Sequence, residues 1–93
     1  MSHWQGATVR NLSGEEYSAF GVSKEDGGIF LVDVPAGSFA GRVGLKKNDL
    51  IQAINDEPVK TTADLVKATG RAEGKPLEVR YVRGQKSETI VMK

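Results

Sequence analysis

The apolar residues of this chain come in short bursts cut by glycine, proline, asparagine and aspartate, and that punctuation restricts it to many short elements. The longest burst, Ile29-Phe30-Leu31-Val32, is too short for a membrane span or for the apolar centre of a signal peptide. Ala7 and Val9 alternate with Thr8 and Arg10 over 6–12, the pattern of a half-buried first strand. Ile29-Phe30-Leu31-Val32 opens a central strand over 29–34, and Leu50-Ile51-Gln52-Ala53-Ile54 forms another. Asn55-Asp56 then reverses the chain, and Pro58 marks Glu57-Pro58-Val59 as a brief edge strand. Leu77, Val79 and Tyr81 alternate with polar neighbours, Arg83-Gly84-Gln85 makes a turn, and 87–92 returns as the hairpin partner.

Three helices are predicted between these strands. Ser13 is placed to cap a short one, with Glu15 and Glu16 in its first turn and Gly21 to stop it after Phe20. Tyr17 and Phe20, three apart, share its anchoring face. Ser38 opens a second, of barely two turns, that ends by Gly44. Thr61 or Thr62 caps the third, over 62–72, with Leu65 and Thr69 on one face and Asp64, Lys67, Ala68 and Arg71 on another. The charged, glycine-rich segment 23–28 is expected to be a loop. Five or six short strands and two or three helices in 93 residues make one α+β domain, 1–93, with no room for a second.

Composition closes several chemistries. Thirteen basic residues stand against 12 acidic ones, so no whole-molecule field gathers phosphates or an anionic membrane, and neither nucleic acid nor membrane insertion is expected. With no cysteine there is no disulfide, thiolate metal site or thiol nucleophile. The one histidine, His3, sits at the terminus, which argues against a catalytic triad and leaves no catalytic residue to name. Ser38 between glycines lacks nucleophile-elbow spacing and is read as a turn with a helix cap. Gly70 to Lys75 falls one residue short of a phosphate loop and runs into Pro76. Glu15, Glu16, Glu25 and Asp26 cluster only in sequence, so no metal and no cofactor is expected. Lys75, Arg80, Arg83 and Lys86 are interleaved with Glu78 and Glu88 and read as a solvated hairpin. Trp4 is open between an exposed ring and a packed anchor.

The stretch Gly37-Ser38-Phe39-Ala40-Gly41-Arg42-Val43-Gly44-Leu45-Lys46-Lys47-Asn48-Asp49-Leu50-Ile51-Gln52-Ala53-Ile54-Asn55 resembles the signature of bacterial PDZ domains of the type attached to HtrA-family proteases. Phe39, Val43, Asn48 and Asp56 depart from it, replacing a proline, an alanine and two glycines, and Asn48 and Asp56 are residue types that tolerate the positive φ a glycine supplies. The resemblance covers nearly the whole chain and implies short antiparallel strands in a partly open barrel or sandwich capped by two helices. It also implies a peptide site. Trp4-Gln5-Gly6-Ala7 would be the carboxylate-binding loop, its successive amides an anion nest, and a peptide would add as a strand along Ala7, Thr8, Val9 and Arg10. Asp64, Ala68 and Arg71 would form the opposite wall, with Ala7 and Ala68 around the last side chain, Asp64 reading the residue two before it, and Arg71 on the rim near the carboxylate. On that solvent-lined wall a larger side chain at position 68 would cost less than about 1 kcal/mol.

The implied function is a module, not an enzyme, that recognises C-termini or extended segments of peptides and unfolded proteins and regulates or targets an attached serine protease. The alternative is a spacer or interaction module on another extracytoplasmic hydrolase, its groove weak or vestigial because Gln5 and Ala7 stand where larger apolar residues are usual. The chain reads as a monomeric domain excised from a larger protein, with 1–3 as candidate appended residues. By resemblance the parent is periplasmic or extracytoplasmic.

Overall fold

Turns built on left-handed residues set the order of the elements. The computed structural model describes residues 2–22 and 28–92. In chain order they are β1 (Ser2–Trp4), β2 (Ala7–Asn11), α1 (Gly14–Phe20), β3 (Ile29–Asp33), α2 (Phe39–Arg42), β4 (Leu50–Ile54), β5 (Glu57–Pro58), α3 (Thr62–Arg71), β6 (Leu77–Arg83) and β7 (Lys86–Met92). The strands form one antiparallel, unclosed sheet in the order β1-β2-β3-β4-β6-β7, with β5 on β4. Asn48, Asn55 and Asp56 have φ of 74°, 49° and 66°, so the departures at Asn48 and Asp56 are accommodated as their chemistry allows. Gly84 and Gln85, both at positive φ, close the β6–β7 hairpin. The loop expected over 23–28 lies, apart from Gly28, outside the described residues, as do Glu25 and Asp26.

The two faces of the sheet bury different things. One carries the main core, where Val9, Leu31, Ile51, Ile54, Val79 and Tyr81 pack with Leu65 of α3 and Ala40 of α2. Leu12, Leu50 and Val82 form a second cluster, which Tyr17 and Phe20 of α1 cover together with Phe30, so the face predicted for α1 is the one that packs. The Phe20 and Phe30 rings meet edge to face at 5.5 Å. Seven strands instead of five or six follow from counting β1 and the very short β5. β1 is the element that sequence patterning misses.

α1 is held to β2 by charge. Ser13 is its N-cap and Gly21, at φ 71°, its C-cap. The Glu16 carboxylate accepts the Ser13 N–H at 2.9 Å and both terminal nitrogens of Arg10, whose guanidinium also lies 4.6 Å from the Phe30 ring centre. Arg10, together with the Ser13 amide, holds the Glu16 carboxyl down from its ordinary 4.5 to about 2. A carboxyl depressed in the fold contributes stability that is complete above its unfolded value and lost as pH falls towards about 2. Urea midpoints should therefore fall between pH 4.5 and 2, and the Glu16→Gln chain should show a shallower fall over the same window. Parallel curves for the two chains would show that the pair is not the source.

Candidate peptide groove between β2 and α3

β2 is the strand from which the predicted site was built, and both of its edges are paired. On one side Val9, Arg10 and Asn11 face Leu31, Phe30 and Ile29 of β3. On the other, β1 runs antiparallel with Ser2 opposite Val9, His3 opposite Thr8 and Trp4 opposite Ala7. Gln5 and Gly6 are left as a two-residue loop with φ of 53° and 83°. Two consecutive positive φ values define a type I′ hairpin turn, whereas an anion nest alternates right- and left-handed residues, so the expected carboxylate loop is a hairpin turn here.

That turn is seated on α2. The Gln5 carbonyl accepts the Ala40 N–H at 3.1 Å, and a Cβ on Gly6 would stand 2.7 Å from the Ser38 Cβ. Glycine is required at position 6 on both counts, handedness and space. The signature residues beneath have equally local reasons. Ser38 caps α2 through Gly41 N–H at 3.0 Å, and a Cβ on Gly41 would meet the Pro35 carbonyl oxygen at 2.6 Å.

α3 is fixed to the end of β2 through Thr62 and to β1 through Thr69. At one end the Thr62 N–H donates to Asn11 Oδ1 at 2.8 Å, fixing the start of the helix on the end of β2. At the other, Trp4 Nε1 donates to Thr69 Oγ1 at 2.9 Å. Trp4 is only 5% exposed and belongs to the main core with Ala7, Leu65, Ala72 and Met92, which settles it as a packed anchor. Past the turn the groove opens into a hollow of about 320 Å³ lined by Gln5, Phe39, Thr69, Ala72, Leu77 and Met92.

The helical face that meets this groove is Thr62, Leu65 and Thr69, not the one expected. Asp64 completes the α3 cap, accepting the Lys60 and Thr61 N–H groups at 3.1 and 3.2 Å, and the Lys60 amide first, then that of Thr61, holds its carboxyl below the ordinary value. Arg71 pairs with Glu57 of β5 at 2.7 Å. Asp64 and Arg71 share a shallow depression with Glu57, Pro58, Lys60 and Lys67, on the β5 side of the helix. Ala68 is a core residue, 5% exposed. On β2 only Ala7 and Val9 point into the main core, while half-buried Thr8 and Arg10 alternate away from it and Arg10 is committed to Glu16. Of the ten residues expected to form the site, the structure gathers Trp4, Gln5, Gly6, Ala7 and Val9 around the groove. Thr62, Thr69 and Asn11 were missed. Because positions 68 and 69 lie about 100° apart on a helix, a small error in placing the helix axis exchanges one face for its neighbour.

The correction at Ala68 changes an expected magnitude. Ala68→Phe forces a ring into a packed site, so it is expected to destabilise the domain by about 2 kcal/mol, the range for overfilled cores. A urea-unfolding difference below about 0.5 kcal/mol would put Ala68 back on an open wall.

A family model described as the PDZ domain matches residues 6–93, and the chain belongs to that family. It is 32% identical over 88 residues to a probable periplasmic serine endoprotease, DegP-like, of Rhizobium meliloti, covering 94% of this chain and 17% of that protein. It is 35% identical over 83 residues to the periplasmic serine endoprotease DegP of Salmonella typhimurium, again covering 17% of the relative. The chain thus spans about a sixth of the proteases it matches. Among solved structures, the HtrA3 PDZ domain bound to a phage-derived ligand, FGRWV, superposes with a TM-score of 0.79 over 98% of this chain and 83% of that one, at 22% identity.

Proposed function

We propose that this domain binds extended polypeptide segments by strand addition on the β2 edge, and that it regulates or targets a serine protease to which it is attached. The observation that carries the reading is β1 itself. The edge of β2 carries β1 antiparallel to it, paired residue by residue, with the Trp4 side chain buried and bonded to Thr69 of α3, which is the arrangement that strand addition requires. The occupant runs on from Trp4 into Gln5 and has no terminal carboxylate there, so internal segments as well as C-termini belong to the ligand class. Attachment to a protease, and a periplasmic or extracytoplasmic setting, are supported by the names of the relatives. The self-filled groove is also what a spacer on some other hydrolase would show, and that is the competing reading.

A titration of ¹⁵N-labelled domain with a peptide library, each member as free acid and as amide, separates them. Shifts concentrated at Ala7, Val9, Asn11, Thr62 and Thr69 are expected. Shifts confined to other surfaces, or none, would favour the spacer. The acid–amide difference reports how much a terminal carboxylate adds, about ten-fold or more where it is held by several amides.

A further inference from the structure

β1 is three residues long, pairs only with β2, and is joined to it by a two-residue turn, so it can leave the groove without disturbing the other strand pairs. What it places there is chemically specific. The Thr69 hydroxyl donates to the Leu65 carbonyl at 2.7 Å, which commits its hydrogen and leaves its oxygen free only to accept, and the acceptor is met by the Trp4 indole N–H at 2.9 Å. Ala7 and Ala72, small residues, belong to the same buried cluster as Trp4. A phenyl ring in that place would bring a C–H to the Thr69 oxygen and leave a part-buried acceptor unmet.

We infer that the groove is an indole-reading site which the chain fills with its own Trp4, and that a partner binds by displacing β1 with an extended segment carrying a tryptophan. This rests on the strand-addition reading above and adds a resident competitor and a selected side chain to it. Displacement lowers apparent affinity by the fraction of time the groove is open, so a groove closed for about 99% of the time binds about a hundred-fold more weakly than an emptied one.

The absence of cysteine makes the test clean. His3 and Thr8 are opposed one pair beyond the hairpin's closing pair, a spacing suited to a cross-strand disulfide, and His3→Cys with Thr8→Cys in the full chain gives a form that oxidation locks shut. Trp4→Ala in the full chain gives an emptied groove. The probes are the synthetic peptides Met-Ser-His-Trp and Met-Ser-His-Phe, followed by ¹⁵N shifts. The tryptophan peptide should bind the Trp4→Ala chain at least about ten-fold more tightly than the unaltered chain, and the oxidised double-cysteine chain should not bind it until reduced. It should outbind the phenylalanine peptide about five-fold, and Thr69→Val should erase that preference.

If oxidised and reduced chains bind equally well at Ala7 and Thr69, β1 is no competitor and the inference falls while strand addition stands. Equal binding of the two peptides overturns the indole reading alone. If neither peptide binds any form, including reduced double-cysteine chain shown to be folded, the strand-addition reading falls as well. A dimer that grows with concentration would make a second copy's β1 the displacing segment and also overturn the inference.

Discussion

Arg83→Met is expected to lower the unfolding free energy by about 3 kcal/mol, read from urea denaturation at neutral pH. The Asp49 side chain is 2% exposed and is the one buried charged group among the described residues. Arg83 meets it with two donors, Nε to Oδ1 at 2.8 Å and Nη2 to Oδ2 at 2.6 Å, while the same Nη2 donates to the Gly44 carbonyl at 2.9 Å. The Lys46 N–H supplies one further bond to the carboxylate, at 2.8 Å. Its pairing with Asp49 pushes the Arg83 guanidinium above its ordinary pKa, so Arg83 keeps its charge at the neutral pH of the measurement. Taking the guanidinium away strands a buried carboxylate on a single amide, and losses of about 3–5 kcal/mol are usual for that. The lower end applies because the Arg83 side chain is 34% exposed, which lets water follow the lost group inward. Adding Asp49→Asn to Arg83→Met should recover part of the loss by removing the stranded charge. Arg83→Lys should recover little, since an ammonium cannot bridge both oxygens as a planar fork does. A loss below 1 kcal/mol for Arg83→Met would show that Asp49 is satisfied without it.

The ion pair illustrates what sequence patterning cannot reach. Asp49 is visible as part of the signature and Arg83 as part of a solvated hairpin, but they are 34 positions apart, and only the pairing of β4 with β6 brings them together. Local rules fared well where the cause is local. The Ser13, Ser38 and Thr61 caps, the Gly21 stop and the reversal at Asn55-Asp56 all rest on one or two residues' own conformational chemistry. The site was harder. A three-residue strand shows no period, so from sequence Ser2-His3-Trp4 reads as a terminus running into a loop. The expected anion nest rests on a glycine-bearing turn and the expected helix wall on the family resemblance, and neither fixes the actual turn type or helix rotation. Gln5 and Gly6, which look weak as a carboxylate loop, are understandable as the centre of a hairpin turn seated against Ala40 and Ser38.

Trp4→Ala is expected to cost about 3 kcal/mol in unfolding free energy and to loosen one part of the sheet more than the rest. Truncating a large aromatic in a sealed core costs about 3–5 kcal/mol because the cavity cannot collapse. Here the loss has a ceiling. β1 is docked by its pairing with β2 and by Trp4, so once the docking free energy is gone the strand leaves and the remaining fold has nothing more to lose at that position. Hydrogen exchange distinguishes this from a uniform effect. β1 amides should lose protection and exchange by local opening, while amides in β4 and β6, paired on both sides at the centre of the sheet, continue to exchange only on global unfolding. Trp4→Phe keeps most of the apolar area and loses only the bond to Thr69, so it should cost about 1 kcal/mol and leave β1 protected. Equal loss of protection in β1 and β6 on Trp4→Ala would mean that Trp4 is an inseparable part of the core, and that β1 leaves its groove only when the whole domain unfolds.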